Sequence, residues 1–153
     1  MQDSTDTWIT RDFASLSPGL LYAILRLRQA VFVVEQNCVY QDLDNLDHCA
    51  DHLMLLRGDT PVAYQRCLPP GTAFAESSIG RIIVAPEARR ERLGSHLVQR
   101  GIDHNRERWP DSPICIGAQA HLQGFYGALG FRVIGDVYLE DGIEHIHMLR
   151  DAG

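Results

Sequence analysis

The feature that most limits the fold of this chain is an apolar stretch that runs directly into a loop of arginines. Residues 82–85 are Ile-Ile-Val-Ala, the pattern of a buried strand, and a helical pattern begins at Leu93. The first backbone N–H groups of a helix lack intrachain partners, and the helix dipole adds partial positive charge at the same place. Such a junction predicts an anion site that suits a pyrophosphate group. The loop also carries three arginines that can donate charge-assisted hydrogen bonds to phosphate: Arg89, Arg90 and Arg92.

Helical and strand patterns alternate along the rest of the chain. Apolar spacing predicts helices over residues 19–35, 93–108 and 123–129. Strand patterns cover residues 52–56, 62–67, 78–84, 114–118, 132–139 and 143–149. Ser17 is the expected N-cap of the first helix, and Asp141-Gly142 predicts a type I′ hairpin turn. This order predicts a mixed α/β (α+β) fold with a partly antiparallel sheet.

Length and charge restrict the organisation of the chain and its partners. Of its 153 residues 45% are hydrophobic and 22% charged, so we expect one domain, residues 1–153, with a buried core. The formal net charge of -6 argues against nucleic acid and anionic membranes as partners. Residues 1–7 lack the basic and apolar regions of a secretory signal, and no apolar run approaches the ~20 residues of a membrane span. We therefore expect a cytoplasmic protein.

The arginine loop resembles the phosphate loop of the GNAT superfamily of N-acetyltransferases, whose pattern is Gln/Arg-x-x-Gly-x-Gly/Ala. Arg89 takes the first place of the pattern and Gly94 the last. Arg92 replaces the middle glycine, and Arg90 stands where a glycine commonly follows the first arginine. These departures leave the path of the loop open, whereas the backbone amides of the anion site remain. A structural corner with three solvated arginines is the alternative interpretation.

A second motif, in residues 119–131, resembles the GNAT helix near the C-terminus, where a Phe-Tyr pair precedes x-x-x-Gly-Phe. Phe125-Tyr126 and Gly130-Phe131 match every fixed place. In the family this tyrosine lies beside the thioester sulfur, so the resemblance makes Tyr126 the general acid that protonates the departing thiolate. A phenol, with an ordinary pKa of about 10, stays protonated at neutral pH. The alternative is a core tyrosine whose hydroxyl reaches the surface.

Further runs are similar to the ElaA-like branch of the superfamily and extend the resemblance over nearly the whole chain. These runs are residues 27–36, 40–44, 79–81, 119–122 and 140–146. The resemblance implies a mixed, mostly antiparallel sheet flanked by helices on both faces, in which two strands splay near Val84 and Ile116. It also implies that acyl-CoA lies in this split and against the arginine loop. The implied acyl-CoA-binding residues are Ile82, Ile83, Val84, Arg89, Arg90, Glu91, Arg92, Leu93, Gly94, Ser95, Gln119 and Tyr126.

The function implied by the resemblance is transfer of an acetyl group from acetyl-CoA to a primary amine by direct attack. A base must take a proton from the ammonium form of the acceptor. Many relatives use a glutamate on the strand before the phosphate loop, but Ser78 stands near that place. Glu35, at the end of the first predicted helix, is the preferred base, and the alternatives are His121, Glu76 and His145.

Two other interpretations stay open beside the enzyme, and the weaker of them is a small structural domain that binds no CoA. The chain could be a regulatory or interaction module that binds CoA without catalysis, and the absence of a glutamate near Ser78 favours that alternative. Members of this superfamily often form homodimers, so the resemblance also implies a possible homodimer. No sequence feature decides the oligomeric state.

Two clusters of side chains invite a metal interpretation. Asp42, Asp44 and Asp47 resemble the start of a calcium loop, but the sixth place of an EF-hand requires glycine and here holds Asp47. These carboxylates then either line the acceptor entrance or carry solvated loop charge. The cysteines and histidines between residues 38 and 52 lack a paired C-x-x-C spacing, so we expect no metal site.

Overall fold

The computed structural model describes residues 5–153, and this part of the chain contains eight β-strands and three α-helices. The strands are β1 (Asp6–Asp12), β2 (Asp51–Arg57), β3 (Thr60–Leu68), β4 (Ser77–Val84), β5 (Ile114–Gln119), β6 (Arg132–Val133), β7 (Tyr138–Glu140) and β8 (Ile143–Arg150). The α-helices are α1 (Pro18–Arg28), α2 (Leu93–Arg108) and α3 (Gln123–Gly127). No helix in the described residues has the length and apolar character that a membrane crossing requires.

The strands form one sheet in the order β1-β2-β3-β4-β5-β8-β6, and β7 also pairs with β8. Every pairing is antiparallel except that of β4 with β5. These two parallel strands pair only through Ser77 with Ile114 and Ser78 with Cys115, and beyond those residues they separate. The mixed, mostly antiparallel sheet and its split are therefore confirmed.

Alternating side chains of the central strands bury both faces of the sheet. Met54 of β2 belongs to the same core cluster as Ile24 of α1, whereas the next residue, Leu55, belongs to the cluster of Leu97 in α2. Because successive strand residues point to opposite faces, α1 and α2 cover opposite sides of the sheet. Tyr126 of α3 joins a third cluster, around β5 and β8. The expected helices on both faces are therefore confirmed.

Two local predictions about chain reversal and capping are confirmed. The Ser17 hydroxyl accepts a hydrogen bond from the Leu20 amide at 3.1 Å, which caps α1. Asp141 and Gly142 have φ angles of 51° and 77°, both in the left-handed region that a type I′ turn requires between β7 and β8.

Two predicted boundaries were wrong or incomplete, and one strand was missed. The single strand predicted over residues 132–139 is two short strands, because Gly135 has a φ of 139° and interrupts the extended backbone between them. The helix predicted over residues 19–35 is α-helical only as far as Arg28 and continues as a π-helical turn, Gln29–Glu35. Strand β1 was not predicted at all. The sequence also predicts that residues 1–7 are not a secretory signal, and residues 1–4 of this segment lie outside the described residues.

Candidate active site

A cleft of about 1270 Å³ opens where β4 and β5 separate. Its walls come from the ends of these two strands, from α3, from the π-helical turn and from the β7–β8 hairpin. The structure places these predicted site residues in its lining: Glu35, Ile82, Ile83, Val84, Arg89, Gln119 and Tyr126. The remaining predicted residues, Arg90, Glu91, Arg92, Leu93, Gly94 and Ser95, form the adjoining loop and the first turn of α2. The two sequence motifs therefore meet at one cleft.

Backbone polarity at the end of β4 leaves hydrogen-bonding groups facing the split. The Ala85 amide donates to the Val62 carbonyl at 2.8 Å, so these two residues bond across the β3–β4 ladder. Because antiparallel ladders alternate, the preceding residue, Val84, directs its own N–H and C=O away from β3. The Val84 carbonyl accepts a hydrogen bond from Nε of Arg89 at 3.1 Å. The Val84 N–H faces the split, where it can donate to an oxyanion or to an extended ligand.

A β-bulge in β4 gives the strand its bend beside the cleft. The β3–β4 register shifts between Tyr64 and Arg66, and on the opposite strand Arg81 has a φ of 51°. A non-glycine residue in the left-handed region carries backbone strain that the surrounding contacts must hold. Bulges of this kind redirect side chains and increase the local twist. The bulge thus contributes to the separation of β4 from β5.

The arginine loop keeps a glycine-like path although it lacks two of the glycines of the family pattern. Arg90 and Arg92 have φ angles of 73° and 60°, so both adopt the left-handed conformation that favours glycine. Each such residue costs roughly 1–2 kcal/mol relative to a right-handed one. Both side chains are exposed, which leaves their guanidinium groups available to solvent or to an anion. The loop thus reaches α2 through a left-handed residue, Arg92, whose side chain forms no capping hydrogen bond with the first turn of the helix.

Two other charged residues of the loop, Arg89 and Glu91, already have protein partners. Two nitrogens of Arg89 donate to the two carboxylate oxygens of Glu35 at 2.8 and 2.6 Å. Glu91 instead pairs with Arg57, at 2.8 Å between Nη2 and Oε1. The hydrogen bonds from Arg89 hold the pKa of Glu35 below its ordinary value. A carboxylate with a lowered pKa is a weaker proton acceptor, which counts against Glu35 as the base in this arrangement.

Tyr126 is a buried phenol at the floor of the cleft. Its side chain lies between Phe125 and Phe131, with ring centroids 5.0 and 6.1 Å away and near-perpendicular planes. The residue is only 6% exposed, and this burial raises the pKa of Tyr126 to about 12. The hydroxyl is therefore protonated at neutral pH and available as a donor.

The candidate bases from the sequence are not all brought to the cleft. His121 and His145 line it, and so does Glu35. Glu76 lies instead in a separate depression near Trp109 and Pro110. Among residues 5–153 no three histidine, cysteine, aspartate or glutamate side chains are placed to share a metal ion.

A buried network of ion pairs lies beside the cleft, where Asp44 and Arg66 form part of the lining, and the sequence did not predict it. Arg28, whose side chain is 0% exposed, donates to Asp42 at 2.8 Å and to Asp47 at 2.7 Å. Arg66 bonds the same Asp47 at 3.0 Å and pairs with Asp44. The expectation that these aspartates carry solvated charge or attract a substrate is therefore wrong for Asp42 and Asp47, which are buried against arginine. The sequence did offer one signal for this network: Arg28 and Arg66 each interrupt an otherwise apolar stretch, and a buried arginine requires a partner.

The network continues into a neutral histidine. Nε2 of His52 lies 2.9 Å from the Asp47 carbonyl, which can only accept, so this nitrogen carries the hydrogen. Nδ1 of His52 accepts from the Tyr64 hydroxyl at 2.7 Å. Burial lowers the pKa of His52. Both ring nitrogens are thus used in structural hydrogen bonds, so neither is available to accept a proton from a substrate.

Comparison with known proteins identifies the family to which this geometry belongs. The family model described as an acetyltransferase (GNAT) domain matches residues 32–151. The protein ElaA of Escherichia coli (strain K12) is 44% identical over 147 residues, which cover 95% of this chain and 96% of that protein.

Solved structures are similar over the same extent. An acyl-CoA N-acyltransferase from Pseudomonas aeruginosa has a TM-score of 0.91 and 42% identity, covering 95% of this chain and 99% of that one. Escherichia coli ElaA has a TM-score of 0.90 and 42% identity, covering 96% of this chain and 100% of that one. The chain therefore belongs to the GNAT acetyltransferase family and is a homologue of ElaA.

Proposed function

We propose that the protein is an N-acetyltransferase that moves an acetyl group from acetyl-CoA to a primary amine by direct transfer. The observation that carries the proposal is the meeting, in one cleft, of an open strand edge, an arginine loop at a helix N-terminus and a protonated tyrosine. Each of these parts suits one region of an acyl-CoA: the pantetheine arm, the pyrophosphate and the thioester.

The residues present fit acyl-CoA along its length. The arm binds as an added strand against Ile82, Ile83 and Val84, because β5 leaves this edge of β4 open. The backbone groups of Val84 face the arm, whereas those of Ile83 face β3 in the alternating ladder, so Ile83 positions its neighbours rather than bonding the arm itself. Gln119, at the end of β5, lies across the split and contacts the same arm.

The pyrophosphate binds at the start of α2. The amides of Leu93, Gly94 and Ser95 lie in its first turn, where backbone N–H groups lack intrahelical partners. Arg90 and Arg92 add charge from exposed side chains. The Glu91 side chain points to Arg57, so its contribution is through the backbone.

The chemistry needs a neutral amine, a stabilised oxyanion and a protonated leaving group. The amine nitrogen forms a bond to the thioester carbon, and the Val84 N–H donates to the oxyanion of the tetrahedral intermediate. The carbon–sulfur bond then breaks, and the Tyr126 hydroxyl gives its proton to the departing thiolate. The nitrogen of the product then loses its extra proton: this N–H bond breaks, and the proton goes to the Tyr126 phenolate, which leaves a neutral amide and restores the phenol. A base must first remove one proton from the ammonium form of the acceptor.

The test is release of thiol from acetyl-CoA with a panel of amines, with CoA binding measured by calorimetry in parallel. The panel contains spermidine, an aminoglycoside, ethanolamine and a peptide with a free N-terminus. We expect turnover with at least one of them, because a cationic acceptor suits a protein of net charge -6. CoA binding without turnover favours the regulatory module, and an absence of CoA binding contradicts the proposal.

The variant Tyr126→Phe tests the acid. Removing the hydroxyl keeps the ring packing between Phe125 and Phe131 but deletes the proton donor. We expect kcat to fall by about 100-fold or more, the range for loss of general acid–base catalysis, with CoA affinity unchanged. Phe125→Leu is the matched control for packing beside the same ring. A Tyr126→Phe enzyme with full activity shows that the hydroxyl is not the acid.

A further inference from the structure

A histidine of β8 presents one free ring nitrogen to the cleft. Nδ1 of His145 lies 2.8 Å from the backbone carbonyl of Ile143. A carbonyl only accepts, so Nδ1 carries the hydrogen in the neutral ring. The lone pair of neutral His145 is therefore on Nε2, the nitrogen that the backbone does not use. The fold thus fixes the tautomer of a residue that lines the cleft.

The ring is also held in orientation. His145 stacks on Tyr138 of β7, with ring centroids 5.8 Å apart and planes 28° from parallel. It pairs in register with Gln119, the last residue of β5, which lines the cleft with Tyr126. The His145 side chain is 12% exposed, so it is enclosed but still open to the cleft. A base needs this combination of fixed geometry and access.

A carboxylate completes the arrangement. Oε2 of Glu140 lies 3.7 Å from Nε2 of His145, and the Glu140 side chain is 61% exposed. A negative charge at this distance stabilises the imidazolium that forms when Nε2 takes up a proton. Because Glu140 also reaches solvent, the proton can leave the cleft at this side.

Four other residues considered as the base each lack one of these properties. Glu35 is held in its two hydrogen bonds with Arg89, and Glu76 lies outside the cleft. His121 is exposed, and His52 uses both ring nitrogens within the buried network.

We propose that His145 is the general base of the transfer. The Nε2 atom takes one proton from the ammonium form of the acceptor, directly or through one water, and Glu140 stabilises the imidazolium that results. The N–H bond of the ammonium breaks, its electron pair stays on the amine nitrogen, and a new N–H bond forms on Nε2. This assignment rests on the proposed function, since it names the group that makes the acceptor reactive.

The substitution His145→Asn isolates the proposed role. The asparagine amide can keep the hydrogen bond to the Ile143 carbonyl, but it has no basic nitrogen in the place of Nε2. With spermidine at pH 7 we expect kcat/KM to fall by about 100-fold or more, with CoA affinity retained. His147→Asn is the matched control, because His147 lies two residues along the same strand and contacts the same Tyr138 ring at 4.6 Å. We expect the control to lose far less activity.

Two further readouts separate a base from a structural role. Hydroxylamine is already neutral at pH 7 and needs no base, so His145→Asn should retain most of the wild-type rate with that acceptor. With spermidine, the deficit of His145→Asn relative to the wild type should shrink as pH rises, because a growing fraction of the acceptor is then already neutral. The titratable groups around His145 are Glu140 and Tyr138 from β7, His147 from its own strand and His121 from the turn after β5, whereas Gln119 on β5 is neutral.

The outcomes are distinguishable from failure of the proposed function. Equal losses with spermidine and hydroxylamine, or full activity of His145→Asn with both, overturn the assignment while the wild-type enzyme remains an acetyltransferase. Wild-type protein that binds CoA but turns over no amine overturns both proposals together. Nitrogen NMR of the wild-type imidazole gives a check without turnover: neutral His145 should carry its hydrogen on Nδ1, and a hydrogen on Nε2 contradicts the assignment.

Discussion

Two ion-pair systems lie at either end of the π-helical turn, and they differ chiefly in burial. Arg28, just before the turn, is 0% exposed and holds Asp42 and Asp47. Glu35, the last residue of the turn, pairs with Arg89 although both side chains are 42% exposed. The buried system ties the segment of Asp42 and Asp47 to α1 and β3. The exposed system joins two residues of the cleft lining through a contact that water competes for.

This difference in burial predicts different responses to change. Breaking a buried ion pair leaves a charge without compensation in a poorly polarisable surrounding, which is strongly destabilising. An exposed pair contributes little to stability because solvent screens both partners. We therefore expect the buried network to stabilise the fold. We expect the Glu35–Arg89 pair to contribute little to stability and to open when a ligand binds. A phosphate group that approaches the loop can replace the Glu35 carboxylate as the partner of Arg89.

The largest expected effect comes from Arg28→Met. Methionine fills a similar volume but removes one positive charge from between two buried carboxylates, so that Asp42 keeps only Arg81 and Asp47 keeps only Arg66. We expect a loss of about 3 kcal/mol of unfolding free energy, the lower end of the range for a broken buried pair, measured by urea titration. Arg57→Met is the control, because Arg57 also joins two carboxylates, Asp6 and Glu91, but at the surface. Similar losses of unfolding free energy in the two variants would contradict the conclusion that buried ion pairs contribute more to stability than exposed ones.

A smaller effect is expected from acid, through His52. Burial lowers the pKa of His52 in the folded protein, whereas an unfolded histidine titrates near 6.5. Below that pH the unfolded chain takes up a proton that the folded chain does not, so stability falls as pH decreases, by up to about 1.4 kcal/mol per pH unit. Denaturant titrations between pH 7.5 and pH 5, on the wild type and on His52→Gln, measure this slope, which should be flatter in the variant.

The aspartates of the network respond in a lower pH window. Burial alone raises the pKa of Asp47, but the hydrogen bond and charge of Arg28, together with Arg66, outweigh it and lower the value. A lowered carboxyl pKa gives stability that is present above the unfolded value, near 3.9, and is lost as pH falls through the folded value. Asp47 therefore titrates below the range from pH 7.5 to pH 5 and does not contribute to the slope measured there. An equal slope in the wild type and in His52→Gln would contradict its assignment to His52.

The smallest expected effect is at the mouth of the cleft. Glu35→Gln removes the charge that competes for Arg89, so we expect CoA to bind about two- to fivefold more tightly, with stability unchanged. Calorimetry measures the affinity, and Glu107→Gln is the charge-matched control because Glu107 is exposed near the far end of α2. Weaker binding in Glu35→Gln contradicts the exchange of Glu35 for phosphate.

Local signals in the sequence predicted much of the fold and the parts of the site that depend on them. The Ser17 cap and the Asp141-Gly142 turn act within a few residues, so their patterns suffice. Strand β1 escaped prediction because it is an edge strand, half-buried at only Trp8 and Ile9, and lacks a clear alternation. The buried network also escaped, since Arg28 meets Asp47 only after α1 has packed on the sheet. The tautomer of His145 depends on one backbone carbonyl, which no residue pattern specifies.

The split between β4 and β5 has a consequence for the ligand-free protein as a whole. The strands on the two sides of the split are joined directly by only two residue pairs, at Ser77 and Ser78. A ligand that lies along the open edge adds main-chain hydrogen bonds where the sheet has none, and anything that binds only the folded form raises its stability by mass action. Acyl-CoA, the co-substrate that membership of the GNAT family implies, should therefore lengthen the time for which the folded chain resists proteolysis.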